Sequence, residues 1–119
     1  MPTEIKIDGN FAIEESTYIV TMNFTDEDGD PVVPISATWT LTDENGAVVN
    51  SRTGVVLSGL AAEMEVVLSG NDLAIASGFS GNAEMRVFTV EATYNSDLGS
   101  GLPLKDQLKF PVYNLAAVT

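Results

Sequence analysis

Carboxylates are the residues of this sequence best placed to do chemistry. Asp26, Asp28 and Asp30 alternate through the run Asp26-Glu27-Asp28-Gly29-Asp30. Alternating carboxylates on a short turn are how a calcium loop opens, because a hard cation draws several oxygens from one segment. The pattern then breaks. Pro31 stands at the sixth position, where such a loop needs glycine, and Ala37 at the twelfth, where it needs a bidentate glutamate. The segment therefore reads first as a solvated acidic turn, with a looser calcium site as its alternative. Glu63 and Glu65, together with Glu91, are a second set. Paired carboxylates serve acid–base catalysis when burial separates their roles. These three fall on outward strand phases, which predicts a solvated sheet face instead.

The other reagents of enzyme chemistry are missing. The chain contains neither cysteine nor histidine. Thiolate chemistry, disulfides, a Ser-His-Asp triad and histidine-based zinc sites are thereby excluded. The expectation is a protein that is not an enzyme, with no catalytic residue, no cofactor and no metal site.

What remains is contact chemistry. Ile5, Ile7, Phe11 and Ile13 are apolar residues near the start, and Leu115 and Val118 close the chain around Ala116 and Ala117. They are the candidate partner-binding residues. Two readings are open: these ends complete the fold as first and last strands, or they are arms that join a neighbour by strand addition. Lys105 and Lys109 read as guards of an edge strand, or as partners for a neighbour's acidic surface. Phe79, Asn82 and Tyr113 are the residues a sugar site would draw on.

The elements that must hold these groups are strands. From Ser16 to Phe24, Tyr18, Val20, Met22 and Phe24 share one face, and period-two alternation marks a half-buried strand. Ser36 to Thr42 repeats the pattern with Ala37, Trp39 and Leu41 inward. Asp43-Glu44-Asn45-Gly46 closes a hairpin, with Asn45 and Gly46 supplying positive φ, and Ala47 to Ser51 is expected to return as its second strand. Met64, Val66 and Leu68 define another strand, and Gly54 to Leu60 a weaker one. Ser69-Gly70-Asn71-Asp72 breaks the chain, and Asp72 is placed to cap one helical turn through Ala76. Met85 to Tyr94 is the longest strand, with Phe88, Val90, Ala92 and Tyr94 inward. Residues 95–103 read as a Gly/Ser loop. Leu108, Phe110 and Val112 open the last strand, which Pro111 assigns to an edge or a bulge.

About seven short strands with regular turn signals predict an all-β protein, an antiparallel β-sandwich. The predicted core joins Tyr18, Val20, Met22, Trp39, Leu41, Met64, Val66, Leu68, Phe88, Val90 and Phe110. The predicted organisation is an N-terminal strand or arm over residues 1–15, the sandwich over 16–113 and a tail over 114–119. At 119 residues with 45% hydrophobic content, the chain suits one globular domain with its own core. Seventeen acidic against five basic residues give a net charge of -12, which repels phosphate backbones and anionic membranes. No nucleic acid and no membrane are therefore expected as partners. The start, Met1-Pro2-Thr3-Glu4-Ile5-Lys6, lacks the basic and apolar regions of a signal peptide, and synthesis in the cytosol is expected.

Two stretches carry a resemblance. Phe24-Thr25-Asp26-Glu27-Asp28-Gly29-Asp30-Pro31-Val32 followed by Ala37 to Gly46, and Val87 to Asp97 with Leu102-Pro103-Leu104-Lys105-Asp106, resemble immunoglobulin-like modules of bacterial and phage proteins. They look like the small structural proteins encoded among the head and tail genes of tailed bacteriophages. The resemblance covers most of the chain from residue 16 onward. It implies an immunoglobulin-like sandwich and a virion role, as a capsid decoration or cement or as a head–tail accessory. The implied partners are capsid or tail subunits, or copies of the chain itself, and the implied location is the virion, assembled in the host cytoplasm. The alternative is a carbohydrate- or receptor-binding module of a larger surface protein.

Overall fold

Alternation of apolar and polar residues sorts most of the chain into strands. A computed structural model describes residues 4–8, 11–75 and 83–113. The strands are β1 (Glu4–Asp8), β2 (Ala12–Ile13), β3 (Thr17–Thr25), β4 (Ser36–Asp43), β5 (Val55–Val56), β6 (Glu63–Ser69), β7 (Ala83–Ser96) and β8 (Gly99–Tyr113). One short 3-10 helix, Gly70–Leu73, follows β6. The protein is all-β.

The strands form two sheets, β1-β3-β6 and β2-β8-β7-β4-β5. Neighbours are antiparallel except β2, which runs parallel to the end of β8 with Ala12 opposite Val112 and Ile13 opposite Tyr113. The larger sheet is therefore mixed, where alternation alone predicted antiparallel pairing. The parallel pair follows from the chain leaving β1 and crossing to the other sheet within a few residues. Along that side β1 and β8 come together.

Inward residues of both sheets meet in a single core. Val20, Met22, Leu41, Leu68, Phe88, Val90, Phe110 and Val112 are fully buried, and every residue predicted for the core is buried. Trp39 stacks on Phe88 with ring centroids 5.3 Å apart, and Tyr18 stacks on Phe110 at 4.6 Å. Such ring pairs add to the area they remove from water.

Three local expectations need correction. Residues 95–103 are not a long loop. The chain turns tightly at Asp97 and Leu98, and β8 begins at Gly99 after an irregularity between Tyr94 and Ser96. Gly101, at a φ of 62°, supplies a backbone conformation that other residues resist. Asp72 is not the cap of the helical turn. Ser69 is the cap, and Asp72 sits at its third position, where its carboxylate accepts the Ser69 N–H at 3.2 Å. The stretch after the Asn45-Gly46 hairpin is not a returning strand. It makes one isolated bridge, Val48 to Thr42, and then turns at Asn50 and Ser51, both at positive φ.

Candidate functional site

The acidic run closes the turn between β3 and β4, and its first carboxylate builds that turn. One oxygen of Asp26 accepts the N–H groups of Asp28 at 2.9 Å and Asp30 at 3.0 Å. Gly29, at a φ of 81°, lets the chain fold back so that Asp26 and Asp30 also bond through the backbone. An aspartate that bonds its own downstream amides is the usual chemistry of such turns. Carboxylate oxygens of Asp26, Asp28 and Asp30 lie within 4.8 Å of one another. A hard cation takes about six to eight oxygens, and one Asp26 oxygen is already engaged by two amides.

Glu27 ties this turn to the β7–β8 hairpin. Its carboxylate accepts the Tyr94 hydroxyl at 3.0 Å and the Ser96 hydroxyl at 2.9 Å. Burial pushes the Tyr94 hydroxyl above its ordinary pKa, and the hydrogen bond to Glu27 pushes it further in the same direction. Between the two loops lies an open cleft of about 340 Å³, lined by Asp26, Glu27, Asp28, Asn95, Ser96, Asp97 and Leu98. Leu98 is 75% exposed on its rim, and Val33 and Ile35 are exposed on the chain leading into β4. This end of the molecule combines carboxylates with exposed apolar side chains.

The residues assigned to partner binding are spread widely. Ile5 and Ile7 lie in β1, at register positions opposite Phe24 and Met22 of β3. Phe11 and Tyr113 meet edge to face at 5.3 Å, and both are exposed. Ile13 is half-buried in β2. Leu115 and Val118 lie outside the described residues, as do Phe79 and Asn82. Glu63 and Glu65 are exposed on β6, opposite Asn23 and Thr21, while Glu91 lies on β7 in the other sheet. The structure does not bring these three carboxylates together. Lys109 pairs with Glu44 at 3.1 Å, both half-exposed, and such surface pairs contribute little.

Two buried charges escaped the reading of the sequence. Asp72 is almost fully buried, and one of its oxygens accepts Asn50 Nδ2 and Arg52 Nε, each at 2.8 Å. Burial raises its pKa, but the hydrogen bonds from Arg52, Asn50 and the Ser69 N–H, with the Arg52 charge, outweigh burial and hold it below the usual carboxylate range. The spacing Ser69-x-x-Asp72 was the signal available, since it is a capping-box pattern. Arg86 is buried too. Its guanidinium donates to the Ala74 carbonyl at 2.6 Å, to the Met85 carbonyl and to the Glu84 carboxylate. Arg86 shares its strand phase with Phe88, Val90 and Ala92, so its inward direction was legible. Asp72 ties the segment after β6 to the turn at Asn50 and Arg52, and Arg86 ties it to β7.

No known protein family, curated protein or solved structure matches the chain. No helix among the described residues is long and apolar enough to cross a membrane.

Proposed function

We propose that this chain is a non-enzymatic structural protein of immunoglobulin-like fold that acts through protein–protein contacts, as a capsid decoration or cement protein or a head–tail accessory of a tailed-phage virion. The fold reading is supported by the split first strand. The chain pairs β1 with β3 in one sheet, crosses over, and pairs β2 in parallel with the last strand of the other. Strands sharing two sheets in this way suit an immunoglobulin-type sandwich.

The observation that carries the contact function is the outward apolar pair Ile19 and Val67. They stand opposite each other on β3 and β6, and each is at least half exposed. Apolar side chains paired on an open sheet face are surface that association would bury. The virion setting is supported by the resemblance of residues 24–46 and 87–106, and many copies on a symmetric shell would convert modest contacts into avidity. The test is mass spectrometry of gradient-purified particles made from the genome that encodes the chain. Copies in a fixed ratio to a capsid or tail subunit are expected. A chain abundant in the lysate and missing from the particles would sink the virion reading.

A further inference from the structure

Among the described residues, the backbone of β6 presents an unpaired edge. Antiparallel strands bond through alternate residues, and the others direct their N–H and C=O groups the opposite way. The Phe24 N–H bonds the Ala62 carbonyl and the Gly70 N–H bonds the Ser16 carbonyl. With the register of β3 and β6, these bonds place Met64, Val66 and Leu68 in the bonded pairs. Glu63, Glu65 and Val67 therefore direct their backbone groups away from β3, and β6 is the last strand of its sheet. All three are exposed.

Exposed edges invite pairing, and proteins normally blunt them with proline, charged side chains (lysine above all), inward charge or short length, and of these β6 has only the carboxylates of Glu63 and Glu65. The other edges among the described residues show such devices: β1, the opposite edge of the smaller sheet, is five residues long and carries Lys6. In the larger sheet, β5 is two residues long. Most of β8 lies beyond the reach of the short β2, and it carries Pro103, Pro111, Lys105, Lys109 and an exposed Asp106 on the inward phase. In contrast, β6 runs for seven residues, Glu63–Ser69, without proline, glycine, lysine or irregularity.

We infer that the β6 edge is a strand-addition site for an extended segment of a basic partner protein. This rests on the reading of the chain as a contact module and names the partner's chemistry. Main-chain bonds would supply affinity and alternate side chains specificity. Glu63 and Glu65 would face lysine or arginine at alternate partner positions, and Val67, beside Ile19, an apolar residue. Charge selects this occupant over a second copy. Two copies would each bring a net charge of -12. An antiparallel two-fold pairing centred on Val66 would also set the two Glu65 side chains diagonally against each other, within reach of like-charge repulsion.

The probe is a blocked peptide, Ser-Val-Val-Thr-Lys-Val-Lys, whose antiparallel alignment puts valine against Val67 and lysines against Glu65 and Glu63. It is titrated into the full chain while backbone amide exchange is followed by NMR. The expected result is slowed exchange at Glu63, Glu65 and Val67, absent with a peptide carrying glutamates for the lysines. The double variant Glu63→Lys with Glu65→Lys should reverse the preference, with about tenfold weaker binding of the lysine peptide. Val67→Pro removes an outward donor that β3 does not use, and should abolish binding while leaving the melting temperature nearly unchanged. No protection with the lysine peptide overturns the proposal. Protection that appears without peptide and grows with protein concentration also overturns it, in favour of a second copy. Either failure leaves the virion role to be decided separately, by the composition of the purified particles.

Discussion

Single side chains decide the stability of the loops and of the core edges. Asp72 is the clearest case, because its carboxylate gathers Asn50, Arg52 and the Ser69 N–H in one buried place. Asp72→Ala would leave these donors without their acceptor and should cost about 1–3 kcal/mol by denaturant unfolding. Its folded pKa is depressed, so the sign of its pH dependence is fixed. Its stabilisation is fully present above the unfolded value of about 3.9 and fades as pH falls through the folded value. Asp72→Asn should therefore flatten the acid limb of a plot of Tm against pH, and an unchanged limb would show that other carboxylates dominate it. Tyr18 makes the opposite point. Its hydroxyl is buried without a hydrogen-bond partner among the described residues, and burial raises its pKa. Tyr18→Phe keeps the ring stacked on Phe110 and removes the unsatisfied group, so it should leave stability unchanged or raise it by about 1 kcal/mol. A loss of stability would reveal a partner for that hydroxyl.

At the scale of strands, the alternation in the sequence located β3, β4, β6 and β7 to within a few residues, because each has one face in the core and one in solvent. Trp39 shows how much that pattern specified. Its inward phase placed it in the core, and it stacks there on Phe88 with the Arg52 guanidinium 5.8 Å from its ring centre. Trp39→Ala should cost about 3–5 kcal/mol in chemical denaturation, and a soluble variant of unchanged stability would contradict this packing. The start of β8 was not legible. Gly99, Gly101 and Ser100 carry no side-chain pattern, and only pairing with β7 makes a strand of them. The parallel β2–β8 pair was hidden for a related reason, since two residues are too few to show a period. Of the candidate site, the acidic turn and the outward direction of Glu63 and Glu65 were readable from phase. The convergence of Glu27 on Tyr94 and Ser96 was not, because it joins residues far apart in the chain.

Across the whole molecule, charge is the term that conditions all of these. Seventeen acidic residues against five basic ones leave -12, and two of the basic residues, Arg52 and the buried Arg86, are engaged with Asp72 and Glu84. Acidic groups then crowd one end, where Asp26, Asp28 and Asp30 share a turn facing Asp97 across the cleft. A compact state with this excess repels itself more than the expanded chain does. Exposed charges separated by more than about 8 Å are largely screened at physiological salt. Sodium chloride should therefore raise Tm steadily from low ionic strength until the screening saturates. Calcium tests whether the acidic turn adds anything beyond this. If Asp26 is a turn acceptor and its neighbours are solvated carboxylates, calcium chloride should raise Tm no more than magnesium chloride at equal ionic strength, and Asp28→Asn should respond like the parent chain. A larger calcium shift, lost in Asp28→Asn, would mean that the turn is a cation site and that the local charge, rather than the overall excess, sets the stability of this end.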